Sequence, residues 1–332
     1  MRRLLSLAVF GVAGLAGAAV SLAGGSNYGV TPGSRPQVEG NIEEWTIPDA
    51  NGARDPAIGP DGNIYFVKQR GDAIGRFDTT THRFDEWKTP QGARPHGNLV
   101  TLDGRVWATG NGNGTLVELD PKTGKVTAHK LPTGGDPHTI ITDNAGTLWF
   151  TKAVADQVAR FEIATGKVIE YKSRGLPYGL ALDRAGNVWF CQLNGDRLGK
   201  LDPKSGKIVE LETGSGSGPR RIAASPDGTL WVALYTSNKA IQVDPAAMKV
   251  VREIALPAGS SGGAYAINVD GGGIVWVNEF DANTVVRIDP KGGQPRVFKI
   301  PTERSAIRKM TIDAQGRLWY IGASSGKIGV IQ

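Results

Sequence analysis

At 332 residues the chain is long enough to bury a sizeable core, and its 46 glycines with 7% aromatic residues fit a turn-rich β protein. The formal charge of +6 falls to +4 if Arg2 and Arg3 are removed, which leaves a mildly basic domain with no expectation of nucleic-acid binding. A single cysteine, Cys191, excludes an internal disulfide, and its place after Phe190 in a strand-like run reads as a small buried hydrophobe.

Met1, Arg2 and Arg3 precede an apolar run from Leu4 to Val20 that ends in small residues, the pattern of a secretory signal peptide over 1–23. An uncleaved single-span anchor is the alternative reading of that run. Residues 24–40, with Gly, Ser, Asn and two prolines, read as a flexible lead-in, and the folded domain is expected over 41–332. The expectation is a periplasmic or secreted monomer, off the membrane once the signal is cleaved.

From residue 53 one pattern returns seven times, with Tyr65, Trp107, Trp149, Trp189, Trp231, Trp276 and Trp319 in equivalent places 40–45 residues apart. Each copy holds four short alternating runs separated by Asp/Gly turns, as in HTIIT, TLWF, QVARFE and KVIEY of the third. Four antiparallel strands per repeat of this length predict an all-β, seven-bladed β-propeller. The seventh copy lacks a fourth strand, whereas NIEEWTIP at 41–48 resembles one, so the N-terminal strand is expected to close the ring. The aromatic column reads as packing between blades, and the turns lack the spaced carboxylates of a calcium loop.

In such a meander the residues just before the first strand and just after the second converge on the channel mouth. The first set is Pro56, His96, His138, Tyr178, Arg220, Tyr265 and Arg308; the second is Lys68, Gly110, Lys152, Gln192, Leu234, Glu279 and Gly322. Two His, two Arg, two Lys and two Tyr against one Glu make an electropositive mouth, suited to an anion. His96 and His138, on adjacent blades, and Glu279, three blades further on, offer metal-ligand chemistry too widely spread for a metal site to be expected. Asn278 with Glu279 is the one neighbouring pair that could begin the cation cluster of a gluconolactonase-type propeller. His82 and His129 read as surface.

The openings with Pro-His or Pro-Tyr, the [DN]xxG[TNR][LV]WF hairpins and the IGR-like third strands (Ala73 to Arg76, Arg197 to Lys200, Lys327 to Gly329) resemble the streptogramin lyase family, the virginiamycin B lyases. The resemblance spans about residues 41 to 332. It implies a seven-bladed propeller and a magnesium-assisted elimination that opens the ester ring of type B streptogramins. The family's sixth-blade histidine falls on Tyr265, its seventh-blade glutamate and histidine base on Ala306 and Arg308, its late magnesium-holding glutamate on Gly322 and its first-blade tyrosine on Pro56. His96 and His138 keep the opening on other blades, and Glu279 matches a WFTE ending. The magnesium ligands are thus unmatched and the cofactor is left open.

The function expected is binding, with possible elimination, of an anionic, ester or lactone small molecule. Tyr265, His138 and Arg308 are the catalytic candidates; His96, Tyr178, Arg220, Lys68, Lys152 and Glu279 are the ligand-binding candidates. A non-catalytic ligand-binding propeller and a protein-interaction propeller are the alternatives.

Overall fold

The computed structural model describes residues 29–31, 33, 34 and 39–332, and the expected leader over 1–23 lies outside them. Among the described residues are seven four-stranded antiparallel sheets. Six are meanders of consecutive strands, over 53–88, 95–130, 137–172, 177–212, 219–255 and 264–299. The seventh joins Ile307–Ile312, Leu318–Gly322 and Lys327–Ile331 to the N-terminal strand Ile42–Thr46, with Trp45 opposite Ile328. Asn41 and Gln332 exchange two backbone hydrogen bonds of 2.9 Å, so the two ends of the domain lock the ring. The first strands of successive blades pack side by side about the axis, and their inner edges line the channel.

Local chemistry fixes the blade. In the hairpin turn the Asp183 carboxylate accepts bonds from the Ala185 and Asn187 amides, both 2.9 Å, and from the Trp189 indole at 2.9 Å. Asp270 holds Trp276 and Asp313 holds Trp319 in the same way, at 3.2 and 2.8 Å. In these three blades the turn residue therefore orients the ring that packs between blades. Trp231 packs with Val269 and Val275 of the next blade, and such a side chain truncated to alanine costs about 3–5 kcal/mol. Gly75 of the third strand lies opposite Phe66, where a methyl group would come 2.3 Å from the ring. Gly329 makes the same room for Tyr320, which explains the glycine of the IGR-like runs.

Two further features shape the channel. Every first strand slips register against the second near the mouth, as between Pro137 and Ile140 or Pro219 and Arg221. Such a bulge breaks strict alternation and lets consecutive side chains face one way. Its unpaired amide is met from the second strand: Thr109 Oγ1 accepts from Gly97 N (2.8 Å), Thr151 Oγ1 from Thr139 N (3.2 Å) and Asn278 Oδ1 from Ala266 N (2.6 Å). The same three side chains donate to the next blade, at His138, Tyr178 and Ile307 carbonyls.

At the opposite end, part of the lead-in is docked. Gly29 to Thr31 run beside the inner edge of the seventh blade, with Ile312 N bonded to Gly29 O (2.8 Å) and Thr31 N to Ile312 O (2.9 Å). Ser34 is buried. These residues dock at the end of the seventh blade's first strand that lies away from Arg308.

Candidate functional site

The register places the mouth ring on the second residue of each first strand. Pro95 pairs with Gly110, Pro137 with Lys152, and Ala53 with Lys68, so the first-blade member is Arg54 rather than Pro56. The Asp55-Pro56 pair imitates the Pro-His opening two residues late. The ring is therefore Arg54, His96, His138, Tyr178, Arg220, Tyr265 and Arg308, all of them at least half-buried.

Across blades 4 to 7 the ring gathers on one oxygen. Tyr265 Oη accepts from Arg220 Nη2 and Arg308 Nη1, each at 3.2 Å, and lies 2.6 Å from Tyr178 Oη. The Arg220 guanidinium carbon sits 3.9 Å from the Tyr265 ring centre, 4.7 Å from that of Tyr235 and 5.1 Å from that of Tyr178. Arg308 lies over Tyr265 and Phe280, at 5.6 and 5.1 Å. Aromatic faces hold these guanidiniums in place while leaving their charge uncompensated. Among the described residues neither arginine forms an ion pair with a carboxylate, and Arg220 Nε is buried without a hydrogen-bond partner. Burial pushes the Tyr265 phenol up, but Arg220, Arg221, Arg308 and Arg54 outweigh it and bring the group down to about 8. Burial and the neighbouring Tyr265 push Tyr178 up.

Blades 1 to 3 are arranged differently. His96 and His138 lie against each other with centroids 3.8 Å apart and ring planes tilted by 40°, and the His138 ring centre lies 4.3 Å from that of Tyr178. Burial, reinforced for His96 by Arg54, Arg221 and Arg308 and for His138 by His96, Arg221 and Arg54, holds both well below the usual histidine range. Both are neutral at pH 7. Arg54 is paired with Asp55 at 3.2 Å and donates to Gln69 at 3.2 Å.

The bulge adds a second tier that alternation hid: Asp55, Thr139, Arg221 and Lys309. Arg221 donates to Thr139 Oγ1 (2.8 Å) and lies 3.6 Å from Asp55, while Lys309 donates to the Asn98 carbonyl (2.8 Å). Burial tends to raise Asp55, but Arg54, Arg221 and Lys309 bring it below its ordinary value.

The second expected set does not join the mouth. Lys68 is ion-paired to Glu86 of the fourth strand, and Lys152 reaches Glu170 at 2.8 Å and Thr133. Glu279 accepts from Asn238 (2.9 Å), the Ala258 amide (2.8 Å) and Thr284 (2.8 Å). These side chains run outward along the sheet, where fourth-strand carboxylates and loop donors satisfy them. Asn278 is spent on the bulge, so it begins no cation cluster. His129 bonds Glu118 at 3.0 Å and packs on Trp107, which makes it part of the blade rather than free surface. Cys191 is fully buried.

Among the described residues there is no cluster of three or more His, Cys, Asp or Glu. A mouth of guanidiniums, phenols and neutral imidazoles does not fit magnesium, which takes carboxylate and water oxygens.

The chain resembles solved structures across nearly its whole fold. Virginiamycin B lyase from Staphylococcus aureus superposes with a TM-score of 0.80 at 21% identity, covering 88% of this chain and 99% of that one. A streptogramin B lyase gives 0.79 at 22% identity, covering 87% and 96%. The extracellular domain of a hybrid two-component system from B. thetaiotaomicron gives 0.68 at 16%, covering 88% of this chain and 43% of that one. Among curated proteins none matches significantly. At these identities the superpositions speak to the fold. The sequence itself matches the virginiamycin B lyase family over residues 33–172 and 82–332, and the chain belongs to that family.

Proposed function

We propose that the protein binds an organic anion at the channel mouth, between Arg220 and Arg308. One observation carries this reading: two half-buried guanidiniums converge on the Tyr265 oxygen at 3.2 Å each, with no carboxylate paired to either among the described residues. Two cations held this close repel, and an acid group bridging them relieves the repulsion while accepting charge-assisted hydrogen bonds. Tyr235 and Phe280, half-buried at the same edge, supply an apolar wall for the rest of the molecule. The test is calorimetric titration of phosphate, simple carboxylates and sugar acids into wild type, Arg220→Ala and Arg308→Ala at two salt concentrations. Wild type binds acids, and each variant loses about ten- to a hundredfold in affinity. Binding restricted to neutral ligands, or unchanged binding in both variants, contradicts the proposal.

A second reading is favoured by the depressed Tyr265 phenol. A phenolate at this place takes a proton from the carbon next to an ester carbonyl. The C–H electron pair becomes a C=C bond, and the β C–O bond breaks to release a carboxylate that needs no proton. Arg220 and Arg308 hold the charge that develops on the carbonyl oxygen. Such an activity rises with pH through about 8, since the reactive form is the deprotonated one. A flat pH profile from about 7 to 9 contradicts Tyr265 as the base.

Export is part of the proposal, supported by the MRR start, the apolar run after it and the likeness to an extracellular domain. N-terminal sequencing from the native host decides it: a start between Ala18 and Gly25 agrees, and an intact Met1 on membrane-bound protein does not.

A further inference from the structure

On the face opposite the mouth, blades 3 and 4 part to leave a groove of about 450 Å³ among Asp143, Trp149, Arg160, Leu182, Asp202 and Lys204. Small-molecule sites span about 300–1,000 Å³, so the groove has room for a ligand. The corresponding gap between blades 4 and 5 is bridged. There Lys200, opposite Trp189, donates to the Pro245 carbonyl at 3.0 Å, and Arg184 of the hairpin turn donates to that of Pro226. In blade 3 the residue opposite Trp149 is Arg160, which turns back to Glu162 of its own strand at 3.3 Å, and the turn carries the shorter Asn144 where blade 4 has Arg184. The gap therefore stays open.

The turn of blade 3 also takes another course. Asn144 adopts φ 57°, a left-handed conformation that asparagine tolerates, and the Gly146 carbonyl accepts from the Ile163 amide at 2.9 Å. One Asp143 oxygen still takes the Ala145 and Thr147 amides, at 2.8 and 2.9 Å, but among the described residues no bond joins Asp143 to Trp149 as Asp183 is joined to Trp189. The indole nitrogens of Trp107 and Trp231 are buried and unbonded, whereas that of Trp149 is unbonded without being buried, although Tyr171 lies along its ring at 6.0 Å. An acceptor and a donor that other blades spend on each other thus both border the groove.

The lining selects against ions. Two carboxylates and two cations border it, and Arg160 already meets Glu162, so no excess of positive charge invites an acid as at the mouth. Donors and acceptors side by side suit hydroxyl groups, which give and take hydrogen bonds at once. Leu182 and Pro203 offer apolar surface to the C–H face of a ring. We propose that this groove binds a neutral sugar of one or two pyranose rings. Its hydroxyls donate to Asp143 and Asp202 and accept from the Trp149 indole and the Arg160 guanidinium. The site is separate from the mouth and does not depend on the acid proposed there.

The experiment follows the tryptophan indole N–H signals of the isotope-labelled intact protein by NMR during titration with glucose, maltose, cellobiose and diacetylchitobiose. One signal, the one missing from Trp149→Phe, should move saturably with at least one of them, at an affinity on the order of millimolar. Ala185→Trp, at an exposed turn residue bordering the groove, should fill it and abolish the shift. Arg160→Met should weaken binding by about threefold to tenfold. Glucuronate and glucosamine, the charged relatives of glucose, should bind no more tightly than glucose itself. A Trp149 signal that no sugar moves, a shift that survives Ala185→Trp, or a preference for glucuronate overturns the proposal. Should Trp149→Phe not fold, saturation transfer from protein to sugar in wild type and Ala185→Trp gives the answer. Transfer lost in the filled variant supports the site, and transfer equal in the two or absent from both overturns it.

Discussion

The two halves of the channel mouth occupy equivalent strand positions on equivalent blades, yet they are electrically unlike. Around blades 1 to 3 the one charged member of the ring meets a carboxylate within the protein: Arg54 meets Asp55, and the two imidazoles are neutral and lie against each other at a 40° tilt. Around blades 4 to 7 the arginines have been given aromatic faces and a phenol instead of a carboxylate. One scaffold position thus yields a half whose arginine is paired with a carboxylate and a half whose arginines are not. The lesson is that a propeller's repeat fixes where a side chain stands, while the residue one blade over decides whether it is available.

The comparison can be broken most severely at Asp55. Asp55→Asn removes the acid that Arg54 and Arg221 contact, and breaking a buried pair costs about 3–5 kcal/mol. Denaturant unfolding measures it, and a loss under about 1 kcal/mol would mean that the first half is not held by this charge. Asp55 lies below its ordinary value of 3.8, so its stabilisation is present above that pH and is lost as pH falls further.

Next in size is the acid response of the histidines. Below pH 6.5 an unfolded chain takes up protons that folded His96 and His138 refuse, so stability falls with pH by about 1.4 kcal/mol per unit for each group. Urea unfolding at a series of pH values from about 7 to 5 should show this slope, and His138→Gln should roughly halve it. A slope unaltered by that change would place the titration elsewhere.

The open half is sharpened by smaller changes that spare the fold. Arg308→Lys keeps the charge but loses the planar fork, so affinity for an acid ligand should fall by about threefold to tenfold, less than in the alanine variant. Equal losses in the two would mean that geometry alone matters there. Tyr265→Phe keeps the ring under both arginines and removes only the oxygen, for an expected loss of about threefold to tenfold. If His138→Gln weakens the ligand as much as Arg308→Ala does, the two halves do not differ in the way described.

Much of the fold is legible in the sequence because each repeat repeats its reasons. The tryptophan spacing counts the blades, the Asp of the turn holds the tryptophan in the fourth, sixth and seventh, and NIEEWTIP supplies the missing strand. Six of the seven mouth residues can be read from the strand openings. Arg54 cannot, because Asp55-Pro56 mimics a Pro-His opening and only the pairing of Ala53 with Lys68 corrects it. The second tier escapes for a different reason. Period-two alternation sends Arg221 and Lys309 away from the channel, and the bulge turns them into it; the Thr109, Thr151 and Asn278 side chains that satisfy the bulge were the available signal. Lys68, Lys152 and Glu279 sit at the right height but point outward, Lys68 and Lys152 toward Glu86 and Glu170 eighteen residues on and Glu279 toward Asn238 of the preceding blade, partners that no local pattern pairs with them.

The central claim, that blades 4 to 7 present charge awaiting an acid, is tested most directly by comparing an aromatic carboxylate with its own primary amide against wild-type protein. The two ligands share size and apolar surface and differ in charge. Calorimetry should find the acid bound at least about tenfold more tightly, with the advantage shrinking as salt is raised. Equal affinity for acid and amide, or an advantage indifferent to salt, would contradict the account.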